Sequence, residues 1–401
     1  MPRAPLLTSC ASIVRDFSEG REATVSSTSA HRPTPEAAAG LEGVDTPALV
    51  LDLDVLDANI ERMARIARRA GVALRPHTKN HKTPEIAHRQ LAAGAVGLAC
   101  QKLAEAEVMA REGLDDLLIV TPIVGVLKID RFVQLARDRR LLTVVDSLQA
   151  GRALGKALDV AGLFVPALIE IDVGYGRCGV APGDVLRLAH PLVEGELGGL
   201  LFGGVMAYEG QIYDAETPDE LRKGALVAYR QLDIALDILS HASIDVPLVS
   251  AGTSAGAEVA AGYPTVTELR CGSYALNDLT QISAGTATSN DCAITILSTV
   301  VSTPTRDRAV IDAGAKALSL STTPGRRGYG QIVGREDLVI SQLMDEHGIV
   351  INRNQLLRLG DRVRIIPNSH GTAVNEFASM VVVQRQHVVD HWDIAARGCG
   401  Q

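Results

Sequence analysis

One lysine lies where a catalytic amine would be placed in a parallel α/β barrel. Lys79 belongs to the segment 75–83 (RPHTKNHKT), which follows a short apolar strand and precedes a helix. Active sites of such barrels collect at the carboxyl ends of the strands, where a lysine can form a Schiff base with a carbonyl compound. The two-residue period of a strand puts Arg75, His77 and Lys79 on one face. A solvated surface charge is the alternative.

Two glycine- and serine-containing loops could bind a phosphate group. Residues 250–256 (SAGTSAG) follow an apolar strand, and residues 270–274 (RCGSY) follow within the next unit. The last two strands of such barrels commonly form a phosphate site, where glycine lets the backbone approach the anion closely. Each loop alone is more typical of an ordinary turn. Together with Lys79 they indicate a site for pyridoxal phosphate.

An arginine and a tyrosine could complete this site. Arg177 lies in the glycine-containing loop 172–179 (DVGYGRCG) and offers a permanent cation for a phenolate or carboxylate. Tyr208 ends an apolar strand, where it can stack on a cofactor ring or cap the core. The alternative for Arg177 is a solvated position on a surface loop.

A repeating strand and helix pattern must position these residues. Nearly continuous apolar strands alternate with stretches of helical period, as expected for parallel strands covered by helices. The predicted strands are Ala48–Leu53, Val72–Pro76, Val96–Cys100, Leu117–Thr121, Leu142–Asp146, Pro166–Asp172, Leu200–Ala207, Pro247–Ala251 and Leu269–Ala275. Counting from Val72 gives eight strands, which close a barrel and leave the first strand outside the ring.

The helical rhythm stops after about residue 290, and short strands with polar turns follow. These predicted strands are Ala293–Val301, Ala309–Asp312, Asp337–Ile340, Val363–Ile366, Ser379–Gln384 and Val388–Ile394. The pattern indicates an all-β C-terminal domain. We therefore predict a poorly ordered extension over 1–44, a (β/α)8 barrel over 45–285 and a β-domain over 286–401, which has room for an N-terminal strand. The join is placed at 281–290.

Composition excludes several classes of function. The 401 residues carry a net charge of -8 with both signs interspersed, which argues against nucleic acid as a partner. No apolar run reaches the roughly 18 residues that a membrane span requires. The six cysteines are scattered without a CxxC motif, as expected for reduced thiols of a cytoplasmic protein.

Several motifs together resemble the D-threonine aldolase and D-serine dehydratase family, and most of all its 3-hydroxy-D-aspartate aldolase branch. The motifs are TPA (46–48), RPHTKNHK (75–82), CQK (100–102), GRCG (176–179), CGSYA (271–275), VIDAGAKA (310–317) and DEHG (345–348). The likeness runs from about Thr46 to Ala396. It implies a fold type III pyridoxal-phosphate enzyme with an alanine-racemase-like barrel and a C-terminal β-domain, a small amino-acid substrate and a homodimer.

The resemblance also implies roles for individual residues. Lys79 matches the lysine that carries the cofactor, and Arg177 matches an arginine near its phenolic oxygen. The remaining cofactor-binding positions are Gln101, Tyr208, Ser254, Gly272, Ser273 and Tyr274, with Thr253 as a possible substitute in a loop that lacks the family's glycine pattern.

One departure concerns the divalent metal that the family binds through His-x-Asp or His-x-Cys after a proline. In register, Ser369 and Gly371 occupy the two ligand positions of this chain, and neither can replace the family pair. A one-residue slip would bring in only His370. We therefore predict no intact metal site.

The loss of the metal bears on the reaction, because the cofactor alone does not decide which bond at Cα breaks. The first expectation is a lyase that cleaves Cα–Cβ of a D-3-hydroxy amino acid. The alternatives are a metal-independent racemase or epimerase, a D-serine dehydratase-like ammonia-lyase, and a non-catalytic pyridoxal-phosphate-binding protein. Without a metal, acid–base chemistry would fall to His77, His81 or His370.

Overall fold

The computed structural model describes residues 40–353 and 355–401, which all belong to one structural unit. The prediction for the extension 1–44 therefore falls almost entirely outside the described residues. The strands of the first part are β1 (Ala48–Asp52), β2 (Ala73–Leu74), β3 (Leu98–Cys100), β4 (Asp116–Ile119), β5 (Arg140–Val145), β6 (Val165–Ile171), β7 (Leu200–Ala207), β8 (Val249–Ala251) and β9 (Glu268–Leu269). The helices are α1 (Leu53–Ala70), α2 (Pro84–Ala92), α3 (Leu103–Arg111), α4 (Val126–Asp138), α5 (Leu148–Val160), α6 (Leu186–Val193), α7 (Pro218–His241), α8 (Ala257–Ala261) and α9 (Leu279–Ser283).

Strands β2 to β9 form the predicted eight-stranded parallel barrel. They pair in the order β2-β9-β8-β7-β6-β5-β4-β3. The ring closes where the Ala99 N–H donates to the Pro76 carbonyl over 2.8 Å. Successive residues of β4 alternate between two apolar clusters, one shared with the helices and one enclosed by the strands. This alternation puts the side chains at the strand ends either under the helices or into the mouth of the barrel.

The interior of the barrel mouth is charged rather than apolar. Arg270 is buried there, and its Nη2 donates to the Ala207 carbonyl over 2.7 Å. Three buried carboxylates, those of Glu170, Glu209 and Glu268, act electrostatically on its guanidinium group. Opposite charges stabilise each other in this water-poor interior, because an uncompensated buried charge carries a large free-energy penalty.

The C-terminal part is mostly strand, as predicted. It contains β10 (Ile294–Thr305), β11 (Arg308–Ile311), β12 (Gln331–Ile332), β13 (Val339–Leu343), β14 (Gly348–Ile351), β15 (Arg362–Ile366), β16 (Ser379–Gln384) and β17 (His387–Asp393), with the short helices α10 (Ala315–Leu318) and α11 (His370–Glu376). β1 lies outside the barrel and pairs antiparallel with β10 and parallel with β16. The first strand of the described chain therefore completes the last sheet.

Some predicted boundaries were wrong. The expected strand Leu269–Ala275 ends after Leu269, because the chain turns into a loop and a short 3-10 turn at Ser273–Ala275. Strands β12 and β14 and both C-terminal helices were not predicted. The domain join at 281–290 stays a prediction; α9 and a 3-10 turn at Ser289–Asp291 occupy this region.

The C-terminal sheet delivers one segment to the barrel mouth. After β15, the Pro367 carbonyl accepts the Leu279 N–H, and the Asn368 carbonyl accepts the Thr280 hydroxyl. Near the C-terminal end of α11, Asn375 Oδ1 accepts a hydrogen bond from Lys82 Nζ over 2.6 Å. Residues 367–375 are thereby fixed over the end of the barrel that carries Lys79. Within the described ranges, no helix is both long and apolar enough to cross a bilayer.

Candidate active site

Lys79 lies at the mouth of the barrel in a short 3-10 turn, Thr78–Asn80. Its backbone N–H donates to Nδ1 of His77 over 3.3 Å, which fixes the turn at the end of the strand. Its Nζ lies 5.5 Å from the centre of the Tyr208 ring. Burial, and then the charges of Arg270 and Arg177, lower the Lys79 pKa from 10.5 to about 8. A substantial fraction of this amine is therefore neutral, and so nucleophilic, near physiological pH.

Aromatic and cationic side chains form the wall beside Lys79. The guanidinium carbon of Arg177 lies 4.7 Å from the centre of the Tyr208 ring, and Tyr175 meets that ring edge-on at 5.3 Å. Glu170 holds Arg177 through a 3.6 Å ion pair. Burial raises the pKa of Tyr208 to about 12, so its phenol stays protonated. The structure thus brings the predicted Arg177 and Tyr208 together with Lys79.

Backbone N–H groups in the same cleft are available to an anion. Ser254, Gly272 and Ser273 line the same cleft as Lys79. Among the described residues, none accepts a hydrogen bond from the N–H groups of these three. A Cβ at Gly272 would collide with the Asn80 amide and lie 2.8 Å from the His77 carbonyl oxygen. The glycine is therefore needed for close approach, and the loops suit a phosphate.

A buried network holds the first of these loops in shape. Glu209 Oε1 accepts the Thr253 N–H over 2.5 Å and the Tyr229 hydroxyl over 3.0 Å. The Thr253 hydroxyl in turn accepts the Gly256 N–H over 3.0 Å. Ser254 Oγ accepts the Tyr274 N–H over 2.9 Å and so joins the two loops. Thr253 braces the loop, while Ser254 links it to the second loop.

Two of the predicted cofactor-binding residues lie at the edge of this arrangement. Gln101 lines an adjoining cleft that also reaches Lys79, and its amide donates to Thr121 Oγ1 over 2.9 Å. The Tyr274 side chain is in the core, where its hydroxyl accepts a hydrogen bond from Gln90 over 3.1 Å. Only its backbone faces the loops. The cofactor roles of both residues stay predictions.

The segment Ser369–Gly371 lines the cleft as well, and its chemistry does not fit a divalent metal. Ser369 and Gly371 supply no carboxylate, thiolate or imidazole at the expected ligand positions. His370 Nδ1 is already engaged by Asp278 Oδ2 at 2.6 Å. Over residues 40–353 and 355–401, no three His, Cys, Asp or Glu side chains are grouped closely enough to hold a metal ion.

The structure also adds residues that the sequence did not single out for this site, namely Asn80, Arg270 and Asp278, which all line the cleft. Asn80 follows Lys79 directly and could have been found from that position. Asp278 shows a helix N-cap signal ahead of α9, and its side chain indeed accepts the Gln281 N–H. Its pairing with His370, 92 residues away, has no signature in the sequence.

Comparison with known proteins fits this geometry. The alanine racemase N-terminal domain matches residues 51–278, and the serine dehydratase domain matches residues 293–383. The chain is 36% identical to a D-threonine aldolase from Arthrobacter over 364 residues, which cover 89% of this chain and 94% of the relative. The chain belongs to the D-threonine aldolase and D-serine dehydratase family.

Other members of the family show the same extent of similarity. A 3-hydroxy-D-aspartate aldolase from Paracoccus denitrificans is 31% identical, with 89% of this chain and 93% of the relative covered. The crystal structure of a D-threonine aldolase from Filomicrobium marinum superposes with a TM-score of 0.84 at 32% identity. That match covers 92% of this chain and all of the other. The recognised family and the alanine-racemase-like fold are both confirmed.

Proposed function

We propose that this protein is a pyridoxal-phosphate-dependent lyase that cleaves the Cα–Cβ bond of a D-3-hydroxy amino acid. The products are an amino acid such as glycine and an aldehyde. The observation that carries the proposal is a half-buried Lys79 amine of lowered pKa that shares a cleft at the mouth of the barrel with three N–H groups, none of which has an acceptor in the described part of the chain. The support from relatives is similarity to named aldolases over nearly the whole chain.

The residues of the cleft fit pyridoxal phosphate. Lys79 would hold its carbonyl carbon, the N–H groups of Ser254, Gly272 and Ser273 its phosphate, and Tyr208 and Arg177 would lie beside its ring. When bound, this cofactor serves as an electron sink for whichever bond at Cα is broken.

The chain's own groups then orient the substrate and move protons. The substrate's amino group would take the place of the Lys79 amine at the cofactor's carbonyl carbon. The neutral Lys79 amine could then carry a proton to and from Cα. Arg270 and Arg177 lie close enough to act electrostatically on Lys79, and either cation would favour a substrate carboxylate beside it. Ser369, His370 and Gly371 complete the lining of the cleft from the C-terminal part of the chain.

The test is a substrate survey on the purified protein loaded with pyridoxal phosphate. We expect aldehyde release from D-threonine or D-3-hydroxyaspartate and none from the L-isomers. Absence of aldehyde from every D-3-hydroxy amino acid would refute the proposal.

A racemase is the second candidate, and the loss of metal-binding chemistry at Ser369 and Gly371 favours it, because racemisation needs no metal. It predicts exchange of the Cα proton in heavy water without aldehyde. A dehydratase would instead release a keto acid and ammonia.

We further propose that the protein is a cytoplasmic homodimer acting on a small amino acid. The five cysteines within the described ranges are free thiols, which is consistent with a reducing compartment. Sedimentation equilibrium at micromolar concentration tests the dimer, and a monomer would contradict it.

The pKa of Lys79 has a direct kinetic consequence. Protonation removes the lone pair, so the apo-protein is expected to react with pyridoxal phosphate slowly at low pH and faster as pH rises. The rate should level off above about pH 8, rather than near the ordinary lysine pKa of 10.5. Stopped-flow absorbance over pH 6 to 11 measures the profile, and a midpoint above 10 would show that the amine is not desolvated.

Gly272→Ala is expected to weaken the binding of pyridoxal phosphate at least about tenfold, since about 1.4 kcal/mol of binding energy corresponds to that factor. The new methyl group would displace Asn80 and the His77 backbone from the cradle. Fluorescence titration of the apo-protein measures the affinity. Gly183→Ala is the matched control, because no atom lies within 4 Å of a Cβ there. Equal affinities of both variants would contradict the prediction.

A further inference from the structure

Three histidines lie in or beside the segments that form the cleft, and two of them accept a backbone hydrogen bond at Nδ1. Nδ1 of His77 accepts the Lys79 N–H over 3.3 Å, and Nδ1 of His81 accepts the Thr83 N–H over 3.1 Å. In a neutral ring the proton must then lie on Nε2. Burial lowers the pKa of His81 to about 4 and that of His77 well below its usual value. Neither ring offers a free lone pair.

In His370, by contrast, Nδ1 faces a carboxylate rather than a backbone N–H group. Its Nδ1 lies 2.6 Å from Asp278 Oδ2, and both side chains are almost completely buried. The same carboxylate accepts the backbone N–H groups of His370 over 3.0 Å and Gln281 over 3.1 Å. Because Asp278 acts as an acceptor towards all three, the ring donates from Nδ1 and the lone pair lies on Nε2. This nitrogen is buried and has no hydrogen-bond partner in the described part of the chain.

The position of His370 matters as much as its tautomer. The residue lines the same cleft as Lys79 and Ser254, so a substrate bound in this cleft would lie in the space that His370 borders. It stands between Ser369 and Gly371, whose side chains cannot bind a metal. A carboxylate that orients an imidazole and stabilises its protonated form is a recurring arrangement for a general base.

We propose that His370, oriented by Asp278, is the general base that removes the proton from the substrate's β-hydroxyl group. This inference rests on the proposed aldolase function. The hydroxyl proton moves to Nε2, and the electron pair of the O–H bond becomes the second bond of the aldehyde carbonyl. The Cα–Cβ bond breaks, its electron pair stays with Cα, and Cα later takes up a proton. His370 returns its proton to solvent, and no divalent metal is required. Asp278 is a positioning residue.

The experiment separates this step from the rest of catalysis by two assays on one preparation. Aldehyde release from D-threonine requires a base at the β-hydroxyl. Exchange of a glycine Cα proton in heavy water does not, because glycine has no β-hydroxyl. For His370→Gln, whose amide cannot take a proton, we expect kcat for aldehyde release to fall about 100-fold. KM should change less than threefold and glycine exchange less than twofold.

Two further variants sharpen the result. Asp278→Asn should lower kcat for aldehyde release while sparing glycine exchange, because the ring loses its orientation rather than its presence. His241→Gln, an exposed histidine at the end of α7, is the matched control and should match the wild type in both assays. For His370→Ala, added imidazole should restore part of the aldehyde release.

Specific results would overturn the proposal. Equal losses in both assays would show that His370 is merely structural, and full aldehyde release by His370→Gln would show that another group is the base. Should the variants fail to fold, the wild type decides: activity that survives chelation by EDTA supports a protein base, whereas activity lost to EDTA and restored by Mn²⁺ refutes it. Failure of the aldolase proposal itself would appear separately, as a wild type that exchanges glycine protons but releases no aldehyde.

Discussion

Lys79→Ala is expected to lower aldehyde release from D-threonine roughly 10⁴-fold, the upper end of what one acid–base group contributes. The substitution removes both the amine that would anchor the cofactor's carbonyl carbon and the group that would carry protons at Cα. The N–H groups of Ser254, Gly272 and Ser273 remain, so pyridoxal phosphate should still bind, although without a covalent bond.

Steady-state kinetics measures the loss, and borohydride reduction followed by peptide mapping checks its cause. In the wild type, reduction should attach the cofactor to the peptide that contains Lys79. Lys128→Ala, at an exposed position of α4, is the matched control and should keep full activity. Attachment to another lysine, or a Lys79→Ala variant with more than a tenth of the wild-type rate, would contradict the assignment.

Arg270→Ala is expected to cost about 3 to 5 kcal/mol in the free energy of unfolding, which is typical for removal of one partner of a buried ion pair. The guanidinium group acts electrostatically on Glu170, Glu209 and Glu268 in a water-poor interior. Glu170 keeps its ion pair with Arg177 and Glu268 its ion pair with Arg75, so the loss falls mainly on Glu209. Urea unfolding followed by circular dichroism measures the change.

The pH dependence of this loss should have a definite sign. Burial raises the pKa of Glu170, and the charge of Arg270 opposes that rise. Without Arg270, the folded-state pKa of Glu170 should lie further above its unfolded value, so the folded variant binds more protons than the unfolded chain. The difference in the free energy of unfolding between the variant and the wild type should therefore shrink as pH falls from 8 to 5. Arg140→Ala is the control, because that side chain is 80% exposed in its 3.4 Å pair with Asp116. Similar effects of the two variants would show that the buried network contributes little.

The barrel could be predicted from the sequence because its signals are local. Each strand is a short apolar run with a turn after it, and the count of eight from Val72 to Ala275 follows from that rhythm. Lys79 could be found for the same reason, since its place at a strand end is a property of neighbouring residues.

What could not be predicted depends on partners distant in the chain. β1 was placed outside the ring correctly, but its pairing with β10 and β16 is a choice among many possible edges. The contact of the Tyr274 side chain with Gln90 could not be foreseen either, because one turn of 3-10 geometry decides which way that side chain faces. The assignment of Tyr274 to the cofactor stays a prediction. The pairing of Asp278 with His370 likewise arises only when the two parts of the fold meet.

The insertion of β1 between β10 and β16 also bears on the order in which the chain can mature during synthesis. Residues 48–52 leave the ribosome before the barrel does, yet both of their neighbouring strands are made after it. Until then, both edges of this apolar segment lack their hydrogen-bonding partners, which is a hazard for aggregation. β1 therefore stays unpaired while the barrel is being synthesised. A chain interrupted near residue 285 would keep both edges of β1 exposed.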